Sequence, residues 1–307
     1  MTQRLLILFT LLLLCKYGQC QQADSIVLND AVLYYYTYGN GEPIILLSGG
    51  PGSASHQIDN VAMELGKKYK TVLFDQRGTG KSWTKPFDTT TINIDQAIED
   101  LDLLREHLHI DKLNLYGRSW GSMLASAYIA KYPDRVRLFV SVNGGELDNA
   151  LTKTIEDNED AKHQKSDTIK YKYWTDSTII KQDEAKAKHE LRKLYLSYKI
   201  YDTTKLETAI LQLDHGKANP KMTELMLQTL KKRLHFIDGD KKFKGYTLVI
   251  FGWNDMIGLT TVTQYLRAFP MAEVKGIYKC GHFPEIEQPE KLYAIVNPFL
   301  QQHLNHK

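Results

Sequence analysis

The run Leu113–Ser122, LNLYGRSWGS, limits what this chain can fold into more than any other stretch. Four residues of strand character enter Gly117-Arg118-Ser119-Trp120-Gly121, and Ser122–Lys131 continues at helical spacing to a stop before Pro133. A strand that turns this sharply into a helix needs room where a Cβ would stand, which Gly117 and Gly121 supply. The turn holds Ser119 in a strained conformation with its hydroxyl raised above the end of the strand. A sequence built around such a turn is a strand–helix–strand protein, and Ser119 is its first candidate nucleophile.

The rest of the chain supports that architecture. Ser25–Tyr38 is rich in β-branched and aromatic residues and reads as an antiparallel hairpin entering the fold. Pro43–Leu47 (PIILL), Lys70–Phe74, Val136–Val142, Tyr246–Phe251 and Val274–Cys280 are short apolar runs of the kind buried on both faces of a parallel sheet. Asn93–Leu108 repeats Ile94, Ile98, Leu101, Leu104 and Leu108 as a crossover helix, and Pro289–Leu304 closes the chain as another. Alternating strands and helices specify a mostly parallel α/β sheet with helices on both faces. Between Glu146 and about Phe243 the alternation stops. Leu191, Leu194, Tyr195 and Tyr198, then Met222, Leu225, Met226 and Leu230, recur at helical spacing with no strand between them, and Asp148–Asp167 reads as a mobile polar surface segment. The expected organisation is a core over 21–146 and 244–307 with an inserted helical cap over 147–243.

Residues 1–20 stand apart. Arg4, an apolar run Leu5–Leu14 broken by Thr10, and Gly18-Gln19-Cys20 follow the order of a secretory signal, with cleavage expected near Cys20/Gln21 and export as the result. The run is too short to span a bilayer. Lipid anchoring is the weaker alternative, because neither Cys15 nor Cys20 follows a small residue. Cleavage removes two of the three cysteines and leaves Cys280, so no intramolecular disulfide is expected. It also leaves 37 basic residues against 36 acidic ones, a balance that argues against nucleic acid or an anionic membrane as partner. No metal or other cofactor is expected, since the ten histidines do not pair with carboxylates at ligand spacing. The expected partner is a small molecule or short peptide acting as substrate; the composition does not specify an oligomeric state.

In an α/β sheet, reactive groups gather at the carboxyl ends of strands. Three such ends carry Ser119, Asp255 and His282, in the chain order of one known serine triad arrangement. A serine hydroxyl needs a base, and a histidine serves when a buried carboxylate fixes its tautomer. Asp75 is the reserve acid, although its loop, Asp75–Ser82, is better explained as structure held by Asp75 and Arg77. Cys280 reads as a small buried residue rather than a second nucleophile. The loop Ser48-Gly49-Gly50-Pro51-Gly52 after PIILL can aim backbone N–H groups at one point. Neither it nor Gly78-Thr79-Gly80-Lys81-Ser82 has the glycine spacing of a phosphate-binding loop.

SGGPG, DQRGTGKS and GRSWGS together resemble the linked motifs of the proline iminopeptidase group of the α/β-hydrolases, over residues 30–145 and 246–303. The resemblance implies an α/β-hydrolase fold, a triad of Ser119, Asp255 and His282, and an oxyanion hole from the N–H groups of Trp120 and of Gly49 or Gly50. Ser48 departs from the family's loop histidine, and Arg118 from the small residue before the nucleophile. The family's amine-binding acids have no clear counterpart here. If a substrate ammonium is bound, the candidate carboxylates are Glu146 and Asp176, the latter beside Trp174, whose ring could add cation–π attraction. The function expected is an exported, prolyl-aminopeptidase-like serine hydrolase. The alternatives are an esterase for small esters or lactones on the same triad, and a catalytically silent binding module. Ser119 excludes the aspartate nucleophile of dehalogenase or epoxide-hydrolase chemistry.

Overall fold

The computed structural model describes residues 21–304, so the expected leader, residues 1–20, lies outside the described residues. Among the described residues nine strands form one sheet: β1 Gln22–Val27, β2 Ala31–Tyr38, β3 Pro43–Leu47, β4 Lys70–Phe74, β5 Trp83–Thr84, β6 Leu113–Arg118, β7 Val136–Val142, β8 Tyr246–Gly252 and β9 Glu273–Ile277. Their order is β1-β2-β4-β3-β6-β7-β8-β9, with β5 paired to β2. The β1–β2 hairpin joins β4 antiparallel, and every pairing from β4 to β9 is parallel.

The apolar runs alternate between two buried faces. Ile45, Leu47, Leu115, Phe139 and Val249 point to one side, where Ile94, Leu101, Leu124, Tyr128 and Phe269 cover them. Ile44, Leu46, Tyr116, Leu138, Val140 and Leu248 point to the other, against Val61, Leu65, Leu292, Val296 and Phe299. Each such side chain is worth about 1.5–3 kcal/mol when taken from water, which is why these strands carry no polar face. The crossover helix Ile94–His107 starts where Asn93 accepts from the Gln96 N–H at 2.8 Å, an N-cap that the sequence places one residue before the apolar repeat. β9 is shorter than its apolar run, because Lys279 takes a positive φ of 54° and ends the strand before Cys280.

Between β7 and β8 the chain is helical. Thr152–Lys162, Lys165–Trp174, Ser177–Gln182, Glu184–Ser197, Leu206–His215 and Pro220–Leu230 form the cap. Its apolar centre, Leu196, Ile200, Leu206, Ala209, Ile210 and Leu213, continues into Phe283 and Ile286 of the core. The polar segment read as a surface stretch is the helix Thr152–Lys162. It buries no side chain, so no apolar stripe announces it; Asn158 Nδ2 donates to Thr260 Oγ1 at 3.0 Å and Lys162 Nζ to the Asn254 carbonyl at 3.0 Å, tying it to the core.

Candidate active site

Ser119 follows β6 and precedes the helix Trp120–Lys131 with φ 54° and ψ −116°, the strained turn expected of it. A Cβ on Gly117 would meet the backbone of Gly121 and Ser122 at 2.6 Å, and one on Gly121 would stand 2.0 Å from the Leu47 carbonyl oxygen. Both glycines are therefore required by close backbone approach. Ser119 is partly exposed while Arg118 and Trp120 beside it are buried, so the turn presents the hydroxyl and hides its neighbours. Trp120 Nε1 donates to Gln76 Oε1 at 2.9 Å, which fastens the elbow to the β4 loop.

Asp255 follows β8 and His282 follows β9, and their side chains meet. His282 Nδ1 lies 2.9 Å from Asp255 Oδ2, with both groups buried. Asp255 also accepts from the N–H groups of Gly258 at 2.9 Å and Ile257 at 3.3 Å. Burial pushes the Asp255 carboxyl up, but His282 and the two backbone donors outweigh it and hold the group below the usual carboxylate range. An ionised Asp255 only accepts, so Nδ1 carries the ring proton and Nε2 is the free basic nitrogen of the neutral ring. No hydrogen bond joins Ser119 Oγ to His282 in the resting structure; contacts of this kind commonly tighten only when substrate is bound.

Asp75 takes no part in that pair. Its carboxylate accepts from Ser55 N–H (2.8 Å), Ser55 Oγ (2.7 Å), Lys81 N–H (3.0 Å) and the Tyr36 hydroxyl (3.2 Å), which occupies it as a loop anchor. Arg77 is fixed by Asp100 at 2.9 and 2.7 Å. Cys280 is fully buried and its thiol pKa is pushed up, chiefly by that burial and then by Glu287, leaving it an inert packing residue.

Two supporting residues escaped the sequence reading. Asn143 follows β7 with φ 46°; its Nδ2 donates to the Gly281 carbonyl at 2.9 Å and its Oδ1 accepts from Gly252 N–H at 2.8 Å, tying the aspartate loop to the histidine loop. Glu287 accepts from Gly281 N–H at 2.8 Å and from Tyr201 and Asp202 N–H at 2.7 and 3.2 Å. His282 N–H itself donates to the Lys199 carbonyl at 2.6 Å, so the cap turn 199–202 is part of the histidine's bed. An asparagine after a strand reads as a turn and a glutamate at the end of a four-residue helix as a solvated charge, so only the structure distinguishes them.

The glycine loop is held from two sides. Ser48 is buried and donates to the Ser53 carbonyl at 3.4 Å, while Gly50 is exposed with φ 142°. The cap reaches the same loop: Asn219 N–H donates to the Gly52 carbonyl at 2.8 Å and Thr223 Oγ1 to the Pro51 carbonyl at 2.7 Å. Gly49 faces the Arg118 guanidinium, which a Cβ there would meet at 2.9 Å. Gly49 and Gly50 thus sit on the loop after β3, the strand beside β6, and Trp120 opens the helix that follows Ser119.

The candidate amine-binding residues separate. Asp176 is exposed and accepts from Thr178 N–H at 2.7 Å as the N-cap of Ser177–Gln182, and Trp174 takes the chain's own Lys186 ammonium over its ring at 5.9 Å. Glu146 is half-buried and one residue from Gly145, whose N–H donates to the Ser119 carbonyl at 3.4 Å. Thr152 Oγ1 contacts both Glu146 oxygens, at 2.9 and 3.0 Å, and burial raises the carboxyl pKa. Among the described residues Glu146 has no ion-pair partner. A cavity of about 430 Å³ lies in the cap, walled by Tyr171, Leu191, Leu194, Tyr195 and Tyr198 and lined on the core side by Met256, the residue after Asp255. Ser119, Trp174 and Asp176 do not line it.

A family model described as alpha/beta hydrolase fold matches residues 42–289. A proline iminopeptidase of Heyndrickxia coagulans is 27% identical over 275 residues, 85% of this chain and 91% of that protein. Among solved structures, one from work on carboxylesterases of Nitrososphaera gargenis superposes with a TM-score of 0.69 at 19% identity, covering 93% of this chain and 100% of that one. Est816, described as an N-acyl homoserine lactone degrading enzyme, superposes at 0.66 with 18% identity over 90% of this chain and 100% of its own.

Proposed function

We propose, given that this chain belongs to the alpha/beta hydrolase fold family, that it is a serine hydrolase cleaving small esters or lactones through an acyl-enzyme. The observation that carries the reading is the His282–Asp255 pair at 2.9 Å, seated after β8 and β9 in the parallel sheet in which β6 leads into the strained Ser119 turn. Ser119 Oγ attacks the substrate carbonyl and its proton passes to His282 Nε2, while Asp255 stabilises the imidazolium. The oxyanion is met by the Trp120 N–H and by Gly49 or Gly50. Collapse expels the alcohol, which takes the proton from His282. Water, deprotonated by the same nitrogen, then releases the acid and restores Ser119.

The ester reading draws support from the cap. Its cavity is walled mostly by tyrosine, leucine and methionine; of the ionisable groups that line it, Glu159 pairs with Lys199 at 2.9 Å, Asp167 accepts from Gln164 N–H at 2.9 Å and His163 packs on the Tyr198 ring. An apolar acyl or alkoxy group fits such walls at no cost in charge. A second reading, the aminopeptidase one, rests on Glu146: a substrate ammonium drawn from water needs a carboxylate partner, and this one makes no ion pair among the described residues, Lys231 being the cation that acts on its charge. Export belongs to the proposal on the strength of residues 1–20.

A panel of chromogenic acyl esters, lactones and aminoacyl amides tests the reading. Ester hydrolysis is expected in the wild type and a loss on the order of 10⁴-fold or more in Ser119→Ala. Cleavage of free-amine amides alone, abolished by Glu146→Gln, overturns it in favour of the aminopeptidase. Near-normal turnover by Ser119→Ala removes both readings.

A further inference from the structure

Arg118, the residue before the candidate nucleophile, is a buried cation that the proposed chemistry does not use. Its side chain is 3% exposed and that of Glu285, its ion-pair partner, 0%. Nε faces Glu285 Oε1 at 3.3 Å without an aligned hydrogen bond, and Nη2 donates to Gln57 Oε1. The guanidinium carbon stands 5.0 Å from the centroid of the Phe283 ring. That ring meets His282 edge-on at 5.3 Å. Burial pushes the Glu285 carboxyl pKa up, and the Arg118 charge opposes it.

The position of this cation matters more than its charge alone. Atoms Nη2, Cζ and Nη1 would stand 2.9, 3.0 and 3.0 Å from a Cβ on Gly49, so the guanidinium occupies the space beside that residue's backbone. One planar group thus touches the glycine loop, the 3₁₀ turn Ser55–Ile58 through Gln57, and the histidine loop through Phe283 and Glu285. Its own backbone ends the nucleophile strand. Removing a buried charge pair is often tolerated or even favourable for stability, so stability alone does not account for placing one here.

We infer that Arg118 and Glu285 are a positioning pair, a wedge that sets the Gly49 peptide and the histidine loop relative to Ser119. The inference rests on the serine-hydrolase reading. Oxyanion donors act only when held where the charge develops, so a shifted Gly49 peptide weakens transition-state binding while leaving ground-state binding nearly intact.

The test is steady-state kinetics on an ester that the wild type hydrolyses and Ser119→Ala does not, which secures the underlying reading independently. In the double variant Arg118→Met/Glu285→Met, which leaves no unpaired buried charge, the thermal midpoint should stay within about 5 °C of wild type. Its kcat should fall on the order of 10²-fold, with KM changed less than about threefold. A folded double variant with kcat within threefold of wild type overturns the inference and reduces the pair to packing. Should the double variant not fold, Arg118→Lys is decisive: it keeps the charge opposite Glu285 but cannot lie flat beside Gly49 and Phe283. A drop in kcat of at least about tenfold at unchanged KM supports the wedge, and unchanged kcat overturns it.

Discussion

Replacing Asp255 by asparagine isolates what its charge does. The amide has nearly the shape of the carboxylate, and the two backbone donors decide how it sits. Gly258 N–H approaches Oδ2 at 2.9 Å, against 3.3 Å for Ile257 N–H at Oδ1. The asparagine oxygen therefore keeps the Oδ2 position, facing both Gly258 and His282 Nδ1, and the ring keeps its tautomer. The loss is then electrostatic. With Nδ1 and Oδ2 2.9 Å apart, the charge centres of imidazolium and carboxylate stand roughly 4 Å apart. Their attraction is about 4 kcal/mol at an effective dielectric constant near 20. Since it acts only once the proton has moved to His282, it translates into a fall on the order of 10³-fold in kcat. The assay is ester hydrolysis on protein whose thermal midpoint has been checked, because the amide NH₂ turned toward Ile257 N–H costs about 1–3 kcal/mol of stability. A fully folded variant within tenfold of wild type refutes Asp255 as the partner of the catalytic base.

Asp240 is buried with the Ser126 hydroxyl as its side-chain hydrogen-bond donor among the described residues, and its carboxyl pKa is raised well above the usual value by that burial. The folded state therefore holds this proton more tightly than the unfolded chain does; the stabilisation is fully present below the ordinary carboxylate range and is lost as pH rises through the raised value. The thermal midpoint of Asp240→Asn, measured from pH 4 to 8, should fall less with rising pH than that of wild type, and parallel curves contradict this. Gly121→Ala drives a methyl group into the Leu47 carbonyl, 2.0 Å from its ideal position, where only backbone can yield. Denaturant unfolding should show a loss of at least about 3 kcal/mol or no folded protein, and a loss under about 1 kcal/mol excludes the close approach.

The legible parts of the chain were those where one residue type answers one geometric demand. PIILL has no polar position because β3 lies between parallel neighbours with both faces covered. Gly117 and Gly121 stand where backbone meets backbone, and Asn93 starts the crossover helix as its N-cap. The order Ser119, Asp255, His282 pointed to three loops, two of which bring a hydrogen-bonded pair together. Charge read alone was a poor guide. Asp176 beside Trp174 looked like a cation site, yet the carboxylate caps its own helix and the ring holds Lys186. Glu285 and Glu287, in a stretch that looks like solvated surface, are buried because their partners come from distant segments, Arg118 in one case and the backbone of residues 201 and 202 in the other. Periodicity carries no information about such pairings. Nor could it reveal the helix Thr152–Lys162, which presents no apolar stripe.

The cap's grip on the core divides it into parts with different freedom to change. Residues 199–202 hold the histidine loop through the Lys199 carbonyl and Glu287, and residues 219–223 hold the glycine loop through Asn219 and Thr223. The helix Lys165–Trp174 instead supplies a wall to the cavity and makes neither of these attachments, whereas Glu184–Ser197 supplies a wall and also sends Leu196 into the cluster with Phe283 and Ile286. A designer reshaping this cavity can exchange Lys165–Trp174 as a whole but should change Leu191, Leu194 and Tyr195 in place. Both anchoring turns must remain with the core, because they behave as outlying pieces of the catalytic scaffold rather than as members of the domain that their place in the chain suggests.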